Sequence, residues 1–208
     1  MKFAGLDFSI TCPALTIYDD KTNEYEVYVW TNVKKLEGYS LIKNNGKTYF
    51  FNIDYLERKK DHYEYYFKLV DSIIHKIESK KIEALGIEQY AFGGSGKLTI
   101  LAEAVGMIKR FYFKTYNKYI MEVPIQLGKM VGNSEFRGDA SKYTNIQYFL
   151  KNECNFLESL HLSIRDESPV GDIVDSFNIM KSLVYLHKKI NGEVLPAKLV
   201  KSLSKLME

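Results

Sequence analysis

Residues 3–20 read FAGLDFSITCPALTIYDD, and the fold turns on one acid in that run. Phe3-Ala4-Gly5-Leu6-Asp7-Phe8 is apolar except at Asp7, and ionised carboxylates are almost never fully buried unless something pairs with them. Asp7 therefore either ends a strand in water or has a cation to hold. Downstream, the polar run 19–24 separates two strand-like stretches, 14–18 and 25–30. That pattern predicts a hairpin, so the chain opens as three consecutive strands.

Further along, residues 31–59 read as an insertion. Asn44-Asn45-Gly46 is a turn signal, and residues 48–53 are expected to add a short strand. From 61 to about 79, Tyr66, Leu69, Val70, Ile73, Ile74 and Ile77 recur at helical spacing. A strand is predicted over 82–90, a glycine-rich loop over 92–96, a helix over 97–116 and a strand over 119–123 that stops at Pro124. A polar stretch containing Gly132, Gly138 and Asp139 leads to a helix over 140–152. An irregular segment precedes the last long helix, 170–189, and Leu199, Val200, Leu203 and Leu206 predict a short docking helix in the tail. Strands first, then alternating helices and strands, describe a mixed sheet with helices on its faces.

The composition is that of an ordinary globular domain, 46% apolar and 26% charged over 208 residues, long enough to bury a core without staples. A formal charge of +3 permits nucleic-acid binding without arguing for it. Cys12 and Cys154 lie far apart with no ligand spacing around them, which predicts two reduced thiols rather than a disulfide framework or a zinc site. Met1-Lys2-Phe3 carries no apolar signal core, and no run reaches the length of a membrane span. A soluble cytoplasmic protein is expected, in the host cytoplasm if a phage encodes it.

Asp7 has a counterpart in Glu88, which ends the run Ile82-Glu83-Ala84-Leu85-Gly86-Ile87-Glu88. In both runs a glycine stands two residues before the acid, Gly5 and Gly86. Alternation puts each glycine on the same face as its acid, so something can pack close beside the carboxylates. The third piece is GDIVDSFNIM, residues 171–180, in which Asp172 and Asp175 lie three apart and share one side of a helix. Taken singly, each acid has a plain explanation: a strand end in solvent for Asp7 and Glu88, favourable placement at a helix start for Asp172. Taken together they form a cluster that would repel itself unless cations neutralise it. Two Mg²⁺ ions, which prefer carboxylate and water oxygens, would do so. Such a pair, about 4 Å apart, activates water and stabilises the leaving oxygen in phosphodiester hydrolysis.

With these residues in view, the chain resembles the RuvC-like Holliday-junction resolvases of the RNase H-like superfamily. GLDFSITCPALTIYD (5–19) resembles the family's opening strand and hairpin, LGIEQYAFGGSGKLTILAEAVGMIKRFY (85–112) its central strand and following helix, and GDIVDSFNIMKSLVY (171–185) its final D-x-x-D helix. The resemblance covers roughly residues 3–186. It implies an α/β RNase H-like fold, three antiparallel strands then parallel strands flanked by helices, in a single domain over 1–208 with an insertion at 31–59 and a helical tail at 195–208.

The resemblance also implies catalytic and metal-binding roles for Asp7, Glu88, Asp172 and Asp175, two Mg²⁺ per site with Mn²⁺ able to substitute, and hydrolysis leaving a 5′-phosphate and a 3′-hydroxyl. A two-fold homodimer acting on a four-way DNA junction follows from it. Ser9 and Lys142 fall where the family approaches the scissile backbone, and Tyr90 or Phe92 would supply an aromatic that stacks on DNA. The loop before Lys97 lacks the spacing and the Ser/Thr of a nucleotide-binding P-loop and reads as a DNA-contacting or plain connecting loop. Lys109 and Arg110 read as a solvated helix face or as phosphate contacts.

Three other readings stay open. A nuclease of the same chemistry could act on other branched or single-stranded nucleic acid, and a DNA-binding protein on the same fold could lack catalysis. A phosphotransferase of the actin-like fold would need a glycine-rich loop directly after Asp7, which Phe8-Ser9-Ile10-Thr11 does not supply.

Overall fold

A computed structural model describes residues 1–31, 40–43, 46–52, 62–89, 97–133, 138, 141–152 and 167–206. The three opening strands are β1 (Lys2–Asp7), β2 (Ala14–Asp19) and β3 (Glu24–Thr31). They form an antiparallel meander with Gly5 opposite Thr16 and Asp7 opposite Ala14. The insertion contributes two strands where the sequence suggested one: β4 (Ser40–Lys43) and β5 (Gly46–Asn52). These pair antiparallel with each other, and β5 runs parallel to β3, so they extend the sheet outward. The Asn44-Asn45 part of the turn signal lies outside the described residues.

Helix α1 (His62–Lys80) leads to β6 (Ala84–Glu88), which pairs parallel with β1. Helix α2 (Lys97–Tyr116) follows, then β7 (Met121–Val123), parallel to β6. The order across the seven-stranded sheet is β4-β5-β3-β2-β1-β6-β7, with β1 in the interior. Beyond it lie α3 (Ile125–Val131), α4 (Lys142–Asn152), α5 (Asp172–Ile190) and α6 (Ala197–Ser204). Helix α3 falls in the stretch read from sequence as polar. Pro124 both ends β7 and opens this helix, whose first bond runs from the Leu127 N–H to the Pro124 carbonyl.

Alternation along the strands sends successive side chains into two cores. Ala4, Leu6, Leu15, Leu85 and Ile87 face α1 and α2, where Ile73, Ile77, Ile108 and Tyr112 are fully buried. Phe3, Val27 and Val29 face the other way, toward α3, α4, α5 and α6. The tail helix docks there through Leu199 and Leu203, both fully buried.

Gly5 and Gly86 are register partners on adjacent parallel strands, and Thr16 stands on the far side of Gly5. Helix α5 lies across this row. A methyl group on Gly5 would come 2.2 Å from the Ser176 carbonyl oxygen and 2.3 Å from the Met180 nitrogen, whereas one on Gly86 would meet only the Ile179 and Leu183 side chains, at 3.0 Å and beyond. The helix backbone thus rests on bare strand at Gly5. The Ser176 hydroxyl donates to the Ile173 carbonyl (2.9 Å) and receives the Thr16 hydroxyl (2.7 Å), pinning α5 to β2 in the buried layer. Gly5→Ala is expected to cost about 3 kcal/mol or more, because backbone and not a mobile side chain must move, and Gly86→Ala about 1 kcal/mol. Urea denaturation checks the ranking.

Candidate active site

Asp7 and Glu88 are the last residues of two parallel strands whose register places Leu6 beside Ile87, so the acids leave the sheet side by side at its carboxyl end. Ligands of open α/β sheets bind outside that end. Both lie on the α5 side, since Phe3 and Gly5 share Asp7's face. Helix α5 brings Asp172 and Asp175 in its first turn, where the exposed N–H groups and helix dipole favour negative charge. The helix can deliver them because it sits flush on Gly5.

The electrostatics record the convergence. Burial raises the Asp7 carboxyl well above its usual range, and the negative charges of Asp175, Asp172 and Glu88 raise it further. Glu88 is raised by burial and by Asp175, against the pull of Lys142 and Lys129. Asp172 is raised chiefly by burial, while Ser168 and Lys142 act to keep it charged. A cation stands among these acids: the Lys142 ammonium lies 3.1 Å from Asp175 Oδ2. Burial disfavours that ammonium, but Asp175, Asp172 and Asp7 outweigh the effect and hold its pKa above the usual lysine value. Lys142 is placed by the cap of α4, where the Ser141 hydroxyl accepts the Thr144 N–H at 3.1 Å.

The donor set suits a hard divalent cation. It offers carboxylate oxygens only, and Asp172 Oδ2 is buried with no hydrogen-bond partner. Among the described residues, no three carboxylates, histidines or thiols are grouped tightly enough to hold an ion as they stand. A cleft of about 240 Å³ opens beside the acids, lined by Glu88 and Asp175, by Lys129 and Lys142, and by Asn145 and Asn178.

The other residues singled out from sequence have different fates. Ser9 lies in the turn after β1, where its hydroxyl accepts the Cys12 N–H at 2.9 Å. Lys97 is the first residue of α2. Tyr90 and Phe92 lie outside the described residues, as does Cys154. Lys109 pairs with Glu122 on β7.

Other residues near the acids escaped the sequence reading, Lys129 at the cleft among them. Cys12, read there as an idle thiol, is buried among Ser168, Thr31 and Asp172, and burial and Asp172 push its pKa up to about 12. The hairpin register holds the signal for it, since Asp7 pairs with Ala14 and Cys12 lies just beyond. Asn145 and Asn178 are almost fully buried polar residues on α4 and α5. Nothing in their local sequence distinguishes them from surface amides.

No protein-family model matches the chain, and no curated protein matches it. Solved structures do match. RuvC of Thermus thermophilus superposes with a TM-score of 0.54 at 14% identity, covering 91% of this chain and 97% of that one. The same organism's RuvC in complex with a Holliday junction substrate gives 0.54 at 12% identity, covering 91% and 96%. The chain has a RuvC-like fold of the RNase H type, and no described helix is long and apolar enough to cross a membrane.

Because Asp7, Glu88 and Asp172 hold protons more tightly in the folded than in the unfolded chain, the native state binds the extra protons between the ordinary carboxylate range and their raised values. Stability of the metal-free protein therefore falls as pH rises through that window. Asp7→Asn removes the strongest of these penalties and is expected to add on the order of 1 kcal/mol at pH 7, with a shallower pH dependence. Urea midpoints in EDTA at pH 5 and pH 7 measure both, and a lower midpoint for the variant at pH 7 would contradict the charge crowding.

Proposed function

We propose that this protein is a divalent-metal-dependent, structure-selective DNA endonuclease that resolves four-way junctions. The observation that carries the reading is the convergence of Asp7, Glu88, Asp172 and Asp175 at the carboxyl end of β1 and β6 in a RuvC-like fold. Those four residues would hold the metal, taken to be Mg²⁺. When bound, the metal supplies an activated water and stabilises the leaving oxygen of the phosphodiester.

The chain's own residues account for the rest. Lys129 and Lys142 edge the cleft with positive charge and attract the DNA backbone to a site that would otherwise repel it. The Ser168 and Cys12 side chains stand against the half-buried Asp172 carboxylate and favour its charged form. Rigid strand ends and a helix pinned on bare backbone hold the acids in place, and preorganisation of this kind keeps a metal site active. Ser9 and Lys97, with Tyr90 and Phe92, are proposed DNA contacts around this centre.

A junction with two-fold symmetry calls for a two-fold enzyme. The surface that fits a second copy is the groove of about 410 Å³ between α1 and α2, where Tyr63 and Phe67 are 67% and 49% exposed. On α2, Gly106 has nothing within 4 Å of a would-be methyl group, so a second backbone can approach there. Glu103 lies three positions before it and Arg110 four after it along the groove, centred between residues 106 and 107. In an antiparallel α2 pair crossing at residues 106 and 107, each Glu103 meets the other copy's Arg110, a self-complementary arrangement.

Labelled four-way junctions, with duplex, flap and single-strand controls, test the activity. Paired symmetric nicks in the junction, abolished by EDTA and reduced at least about a hundredfold in Asp7→Asn, are expected. A junction bound but never cut with Mg²⁺ or Mn²⁺ would replace the enzyme by a binding protein, and preferred cutting of a control would keep the chemistry and change the substrate. Sedimentation equilibrium tests the dimer. Arg110→Glu should weaken it about tenfold by setting like charges face to face, and adding Glu103→Arg should restore it.

A further inference from the structure

Gly171 stands directly before Asp172 in right-handed helical geometry, φ −61° and ψ −44°. Nothing in that backbone calls for glycine, and alanine is the better helix former. The reason for its bareness lies across the site. A methyl group at position 171 would come 2.3 Å from Lys142 Cε and 2.6 Å from Lys142 Nζ, so the lysine side chain fills the space that a side chain on residue 171 would take. From there the ammonium reaches Asp175 Oδ2 at 3.1 Å.

We infer that Gly171 is a positioning residue, the seat that holds the Lys142 ammonium on Asp175 as the site's resident counter-cation, so that a divalent ion must displace Lys142 to reach that carboxylate. The identity of the competitor rests on the metal-site reading above; the seat does not. In the absence of metal, Lys142 offsets part of the repulsion among the acids. Once displaced, its charge stands beside the cleft it already lines, where a DNA phosphate can take it up.

Gly171→Ala separates this role from folding, because the group that must move is the flexible end of a lysine and the helix itself accepts alanine. Circular dichroism should show the native fold. Two measurements then read the seat. In the metal-free protein, acylation of Lys142 by an amine-specific reagent, followed by mass spectrometry, should be severalfold faster in Gly171→Ala than in the unaltered chain. In the second, Mn²⁺ titrated calorimetrically without DNA should bind about two- to fivefold tighter in both Gly171→Ala and Lys142→Met, the size expected for loss of one partly exposed ion pair. The double variant should bind no tighter than Lys142→Met alone, since both changes remove the same contact.

Unchanged acylation of Lys142 in Gly171→Ala would overturn the seat. Mn²⁺ affinity that is unchanged or weaker in both variants would overturn the competition. If no form of the protein binds Mn²⁺ while acylation responds as expected, the metal-site reading fails and the seat stands.

Discussion

The contact between the bare backbone of Gly5 and the backbone of α5 is the constraint on which the rest of the molecule depends. A helix usually stands off a sheet by the thickness of two layers of side chains. Here a methyl group on the strand would already meet the helix carbonyl of Ser176 at 2.2 Å. The close approach sets the height of α5 over β1, and therefore the height of Asp172 and Asp175 above Asp7 and Glu88. Thr16 and Ser176 fix its rotation by a buried hydrogen bond of 2.7 Å. Height and rotation together decide that the acidic side of the first turn points at the strand ends.

That geometry sets two electrostatic effects against each other. The first turn of a helix welcomes acids, and the mouth of the sheet leaves room for them. Burial and mutual repulsion oppose their charge, and for Asp7, Glu88 and Asp172 burial is the largest influence on the carboxyl group. Lys142, itself disfavoured by burial, restores part of the balance, and Lys129 adds to it at Glu88. Natural proteins tolerate such local conflict at functional sites and compensate for it elsewhere; here the compensation comes from two apolar cores, one on each face of the sheet.

Much of this was legible in the sequence because it rests on short-period patterns. The alternation around Asp7 and Glu88, the glycine two residues before each, and the three-residue spacing of Asp172 and Asp175 are local signals, and they anticipated both the strands and the close packing beside the acids. Helix α3 was not legible: its seven residues carry a glycine and a lysine, and its buried Leu127 and Val131 are too few to show a period. The pairing of β5 with β3 was equally hidden, since no local pattern tells a strand whether its neighbour will run parallel. The part played by Cys12 and the seat at Gly171 depend on residues more than a hundred and about thirty positions away, respectively, and only the folded chain brings them together.

The hydrogen bond from Thr16 to Ser176 spans 160 positions, and it implies an order of assembly. A chain on the ribosome that has emerged only as far as β7 can already pair β1, β2, β3 and β6, with Asp7 and Glu88 at their ends. Its α5-side face is still uncovered, and half of the acidic cluster has yet to be synthesised. The contacts that complete the site are among the more distant in sequence and carry a large loop-closure cost. The acidic cluster is thus incomplete until α5 has been made and has closed over the sheet.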